Sequence, residues 1–573
     1  MSMASRRLAG SLALVLVAGV AAGCSPRPDE SAQAGKPAPG QMEETRTALS
    51  AFLAGRLAQG TGDSRAAADY YAAALKYDPD NLDLLQRAFT LAVAEGRMAA
   101  AAPMAERLLS FDSDAAVPLL VNGLKAAREN RFEQAEAAFA ALPKRGINSF
   151  LGPLMIAWAR VGAGRTDAAL ETLATLSQSN GLDALRSFHA GLINDLADRH
   201  DAAEANYRVA LAGQLSIRPV EAAGIFYQRT GKEGQARELY ARYQAEHPQT
   251  MLFDGDRLLA GAPVRPVADA RAGMAEALFD ISTLMRQGNA ADAALIFARL
   301  ALDLDPGFAL ARMTVADILA AQERLDDANE MYRSIPADSP AHAYGRLRIA
   351  MNLDELGDTE GALKALDALA AERPADVDAL VTKGDVLRRK KRFAEAATAY
   401  DAALARIGTP QRQHWPLLYS RAIAFERSKQ WPKAEADFLK ALELNPDQPD
   451  VLNYLGYSWV DMGLHLERAR KMIEKAVELR PKDGAIVDSL GWALYRMGEY
   501  QAAVKHLERA VELKAEDPTV NDHLGDAYWQ VGRSAEAMFQ WRRAMSLDPE
   551  PEQIEPLKEK IRTGTLPAPP LAK

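Results

Sequence analysis

The sequence is poor in cysteine: its 573 residues contain one, Cys24. No disulfide can close within such a chain, and no cysteine cluster can hold zinc. Its eight histidines are scattered, and no two sit four apart with a glutamate between them, so the H-E-x-x-H metal face is missing. No G-x-S-x-G elbow and no G-x-x-x-x-G-K-[ST] phosphate loop occurs. Gly60-Thr61-Gly62 and Gly162-Ala163-Gly164 lack a third glycine and a preceding strand, and read as turns between helices. Asp78-Pro79-Asp80 and Asp303-Leu304-Asp305 lack the glycine and glutamate that a calcium loop needs. An excess of basic charge is missing too. The net charge is −9, with Lys and Arg interspersed among Asp and Glu, which is no footprint for neutralising phosphates. These absences argue against an enzyme, a cofactor, a metal, a small-molecule substrate and a nucleic-acid partner.

What the chain has is length and small helix-forming residues. A chain this long exceeds one hydrophobic core, so several domains or one repeat array must account for it. Hydrophobic residues make up 48% and aromatics only 7%, alanine is abundant, and β-branched runs are scarce. That balance favours helices packed closely through small side chains.

The N-terminus reads as a processing signal. Arg6 and Arg7 precede an uncharged apolar stretch, Leu8 to Ala22. At 15 residues it is short for a membrane span, which needs about 20. Ala21, Ala22 and Gly23 lead into Cys24. The segment resembles the lipobox of bacterial lipoproteins, with Ala21 where leucine is usual. That resemblance implies a signal peptide over 1–23 and acylation of Cys24. An ordinary secretory signal is the alternative. Ser25 follows the cysteine. By the sorting rule of enteric lipoproteins, this implies the periplasmic leaflet of the outer membrane. Pro26, Pro28, Pro37 and Pro39 among small polar residues make 24–41 a disordered tether.

From there on a period of 34 residues dominates. Val487-Asp-Ser-Leu-Gly-Trp-Ala-Leu-Tyr returns 34 residues later as Asn521-Asp-His-Leu-Gly-Asp-Ala-Tyr-Trp. Phased on an alanine at the twentieth position (Ala67, Ala101, Ala135 and onward to Ala537), the chain divides into fourteen units. The eighth position, where two helices should cross, is then small in thirteen of the fourteen units, with Phe89 the exception. Close helix crossing, at about 8 Å, needs such small residues. The twenty-fourth position holds large apolar side chains, among them Tyr71, Phe139, Tyr207, Tyr240, Tyr400, Phe438 and Trp541. Prolines at 79, 248, 306, 374, 446, 481 and 549 mark the turns between units.

This pattern resembles the tetratricopeptide repeat over nearly all of the chain. The resemblance implies an all-α superhelical solenoid of helix–turn–helix units in two segments, 42–250 and 275–550. A joint lies at 251–274, and a capping helix and proline-rich tail occupy 551–573. Because repeats bury their apolar faces against neighbours, the joint should let the segments fold apart, a cut near Arg271 leaving the second intact.

In the family, the fifth, ninth and twelfth positions of each first helix face the concave groove. In the last three units this implies a partner-binding surface of Asn453, Tyr457, Asp488, Trp492, Tyr495, Asp522, Asp526 and Trp529. Aromatics beside acids suit a peptide with apolar and basic side chains. Trp459 and Tyr528 fall at inward positions. The basic run Arg388 to Arg392 reads as a solvated turn. Leu452-Asn-Tyr-Leu-Gly-Tyr-Ser-Trp-Val-Asp and Asp488-Ser-Leu-Gly-Trp-Ala-Leu-Tyr-Arg further resemble the C-terminal units of proteobacterial lipoprotein adaptors, which bind a carboxyl-terminal processing protease and present substrates to it. The expectation is a non-enzymatic envelope scaffold that binds proteins or peptides. An assembly or secretion factor for outer-membrane proteins or exopolysaccharide is the alternative, and a repeat-bearing enzyme such as a glycosyltransferase comes third.

Overall fold

A computed structural model of the chain describes residues 47–178, 182–247 and 250–566. Cys24, the tether and the end of the tail lie outside the described residues. Those described form 30 α-helices and no strand. No helix among them is long and apolar enough to cross a membrane.

The helices pair into fourteen antiparallel hairpins. The first is Ala48–Gly60 with Ser64–Tyr77, and the fourteenth is Pro518–Gln530 with Ser534–Met545. The crossing point within each hairpin is where the sequence places it. Gly55 meets Tyr71, Gly123 meets Phe139, Gly224 meets Tyr240 and Gly525 meets Trp541. A Cβ on Gly525 would lie 2.5 Å from the Trp541 ring, so no larger residue fits without moving the helices. The exceptional unit inverts the pair rather than breaking it. Large Phe89 stands at its eighth position and small Ala105 at its twenty-fourth, both buried. The volume at the crossing is kept, which is what close packing requires. In the twelfth hairpin, Pro449–Asp461 with Leu466–Leu479, the turn carries positive φ at Gly463 and His465. The plug there is Ile473, against Gly456.

The joint does not divide the core. A short helix, Gly255–Ala260, and an extended stretch cross it, with Phe253 and Val267 buried. The seventh hairpin, Ala270–Gln287 with Ala291–Leu304, then turns back into the concave face of the first six. One apolar cluster consequently runs from Ala51 to Ala341, and a second from Ala343 to Leu557. Both sides of the joint share this first cluster, whereas the sequence pattern leads one to expect a cut near Arg271 to leave the second segment intact.

The break between the two cores falls at the helix Ala341–Glu355 instead. A polar layer interrupts the apolar packing there. Asn352 donates to Asn329 at 2.9 Å in a buried pair. Asp317 accepts from the hydroxyls of Tyr332 and Tyr344, with Arg286 3.6 Å away. Satisfied polar groups of this kind are tolerated inside proteins but add no hydrophobic stabilisation.

Candidate functional site: two concave grooves

The N-terminal groove is occupied by the chain itself. Trp158 stands at the ninth position of the fourth hairpin, whose first helix is Asn148–Gly162, and has 0% exposure. Gly273 of the inserted helix lies on its face, where a Cβ would come within 2.3 Å of the ring. The Trp158 indole N–H donates to His189 Nδ1 at 3.1 Å. Nδ1 is therefore the acceptor, Nε2 carries the proton, and His189 donates from it to Asp280 of the inserted helix at 3.0 Å. Arg218 grips Glu276 of the same helix through two hydrogen bonds, at 2.9 and 2.7 Å. Burial raises the Asp280 carboxyl above its usual range, with His189 opposing the rise. Further out, Arg324 holds Glu95 through two bonds at 2.7 and 2.9 Å, and Arg128 holds Asp303 at 2.7 Å. Planar two-bond contacts of this kind fix a geometry as well as adding energy.

Among the described residues no helix lies along the C-terminal groove, and only the capping helix Pro551–Thr563 touches its end. Asn453, Tyr457 and Asp488 line one cavity of about 630 Å³ together with Glu426, Tyr454 and Asp461. The Asn453 side-chain oxygen is buried there without a hydrogen-bond partner. Tyr457 keeps its phenolic proton, because burial and the nearby Asp461 and Asp488 raise it well above the usual tyrosine range.

Trp492 and Tyr495 lie beside this cavity rather than in it. Their rings stack at 4.8 Å, and Trp492 stacks on His523 at 4.0 Å. The Trp492 indole N–H is buried and unpartnered. Asp488 is spent internally, accepting from His523 Nδ1 at 3.0 Å. Burial alone would lower His523, but Asp488, then Asp522 and Asp526, raise it above its usual 6.5.

The far end of the surface differs from the sequence expectation. Asp522 and Asp526 do not present free charge. Lys560, from the capping helix Pro551–Thr563, reaches both at 2.7 and 2.9 Å. Asp526 also accepts from the Trp541 indole at 2.8 Å. Burial and the neighbouring Asp522 push Asp526 up to about 6, with Lys560 opposing. Trp529 is half-buried, 6.0 Å from the Trp541 ring. Lys560→Ala is expected to cost about 3 kcal/mol, because removing one member of a buried ion pair strands the other. Urea denaturation of the full chain measures it.

Trp459 and Tyr528 are core residues, as their inward positions imply. The basic run is a paired turn: Arg389 and Lys390 reach Asp354, each at 3.2 Å, and Arg392 reaches Glu360 at 2.6 Å. Two residues that organise the groove stand out only in three dimensions, His523 and Lys560. His523 read as one scattered histidine, and Lys560 as one charge on a polar cap.

Tetratricopeptide-repeat family profiles match residues 48–81, 284–348, 347–411, 491–532 and 519–551. The all-helical solenoid carries tetratricopeptide repeats over these stretches. The TPR repeat-containing protein PA4667 of Pseudomonas aeruginosa is 37% identical over 90 residues, which is 16% of this chain and 15% of that protein. Among solved structures, the Cut9–Hcn1 hetero-tetramer of the APC/C is 13% identical with a TM-score of 0.38, over 90% of this chain and 96% of that one. Yeast Tom70 is 14% identical with a TM-score of 0.34, over 90% and 95%. YrrB, a TPR protein with an unusual peptide-binding site, is 18% identical with a TM-score of 0.27, over 34% and 99%.

Proposed function

We propose that this solenoid is a non-enzymatic scaffold of the bacterial cell envelope, tethered by a lipid on Cys24, whose C-terminal groove receives a protein partner. One observation carries the groove assignment. Aromatic residues stand at the same repeat position in both halves, yet among the described residues a helix covers only the N-terminal one. Trp158 is sealed under Gly273, whereas Tyr457 and Trp492 remain partly exposed beside an open cavity. Partly exposed rings next to unsatisfied polar groups are what a binding hot spot offers. The tether and lipid rest on the resemblance of residues 6–24 to a lipobox. The protease-adaptor role rests on the resemblance of the C-terminal units to lipoprotein adaptors.

The test is affinity capture from envelope extract with the intact chain and its Trp492→Ala variant, read by mass spectrometry. The intact chain should recover a periplasmic protease or its substrates. The variant should lose them by about 30-fold in affinity, the equivalent of a 2 kcal/mol hot spot. Equal recovery by both would remove the groove from the function. In parallel, Cys24→Ala should leave the precursor uncut or free the protein from membranes, and unchanged membrane association would refute the lipid.

A further inference from the structure

The chain carries one constellation twice. Trp158 and His189 are 31 residues apart, at the ninth position of one hairpin and the sixth of the next, and Trp492 and His523 repeat that placement. The first pair is seen with a helix seated on it. No described helix is seated on the second, and its rings are arranged differently: the first pair meets edge-on at 79°, the second lies stacked at 13°. The occupied groove therefore serves as an internal template for the open one.

The template also shows what must change. In the first pair the indole N–H consumes Nδ1, so the imidazole donates from Nε2 and selects a carboxylate, Asp280. The fifth position of that hairpin is Leu154, which makes no polar demand. In the second groove the fifth position is Asp488, and it consumes the Nδ1 proton of His523. The neutral ring then has only an acceptor left at Nε2. One residue, leucine or aspartate, thus inverts the histidine tautomer and the polarity it presents. The cavity beside it agrees in sign: Glu426, Asp461, Asp488 and Asp517 outnumber Arg427 and Lys429.

We propose that the C-terminal groove takes an amphipathic helix laid along it as Ala270–Gln287 lies along the N-terminal one, with apolar contact to the edge of Trp492, whose faces are taken by Tyr495 and His523, and a lysine or arginine where that helix carries Asp280. The inference rests on the groove being the partner site, and adds the partner's conformation and charge. Around His523 the facing groups are Asp488 and Trp492 on the preceding hairpin, Asp522 and Asp526 on its own helix, and Lys560 on the cap. As pH falls and His523 takes a second proton, Nε2 becomes a donor and the preference for a cation weakens.

The probe is an 18-residue peptide with the sequence of Ala270–Gln287, stapled on its outer face and fluorescently labelled. Anisotropy titrations against the full chain compare this parent with its Asp280→Lys form. The lysine peptide should bind at least tenfold tighter than the parent at pH 8.5, with a smaller margin at pH 6. Trp492→Ala in the protein should weaken it at least tenfold. Equal binding of lysine and aspartate peptides, or indifference to Trp492→Ala, overturns the inference. If no peptide binds while capture from envelope extract still depends on Trp492, the groove assignment stands and the helical partner falls. If capture is also indifferent to Trp492, both fall.

Discussion

A chain beginning at Arg271 is expected to melt early and to bind hydrophobic dyes, whereas one beginning at Ser339 keeps a cooperative helical transition. The first cut strips the cover from Gly273, Met274, Ala277, Leu278 and Ile281, all buried in the whole chain. It also leaves Glu276 and Asp280 without Arg218 and His189. Apolar burial is worth about 25 cal/mol per Å², so a helix losing one whole face loses several kcal/mol. The second cut falls at the polar layer, where one apolar cluster ends and the next begins. Circular dichroism melts of both chains, with hydrogen exchange over 270–304, decide it. Exchange protection at Ala270–Gln287 equal to that in the full chain would show that the groove contact contributes nothing. Hydrogen exchange suits this purpose because solenoids unfold in parts rather than all at once.

The reason the shared core across the joint is not legible in the sequence is physical. A repeat pattern reports nearest-neighbour packing, since each small eighth residue and large twenty-fourth residue lie in one hairpin. Every hairpin was legible on that basis, down to the odd pair of Phe89 and Ala105 once their volumes are compared. Superhelical curvature is not local. It accumulates from small rotations per repeat, and only that accumulation brings Trp158 over Gly273, more than a hundred residues away. Glycine at 273 read as one residue of a joint, because the ring that requires it lies three hairpins upstream. The candidate groove shows the same limit. Asn453, Tyr457 and Asp488 follow from repeat position and do share a cavity. The fate of Asp522 and Asp526 depended on Lys560, which belongs to no repeat. Position within a repeat predicts which way a side chain faces, and says nothing of what the next element lays across it.

Trp158→Ala and Trp492→Ala are expected to separate by about 3 kcal/mol in stability, though the two residues hold the same place in the repeat. Trp158 is fully buried, touches the inserted helix and donates the hydrogen bond that sets the His189 tautomer. Removing it leaves a cavity between two halves of one core, and truncations of this size cost about 3–5 kcal/mol. It also leaves His189 Nδ1 without a donor, so the grip on Asp280 loosens. Trp492 is only half-buried, and its main contacts are the stacked rings of Tyr495 and His523. Aromatic pairs contribute about 0.5–1.5 kcal/mol beyond their area, and its indole N–H makes no hydrogen bond that could be lost. Urea denaturation and hydrogen exchange of each variant in the full chain are the measurements. Trp158→Ala should raise exchange across Ala270–Gln287, while Trp492→Ala should leave that helix protected and cost about 1 kcal/mol. Comparable losses from both would mean that Trp492 is core, and the open groove would then be a packing surface rather than a site.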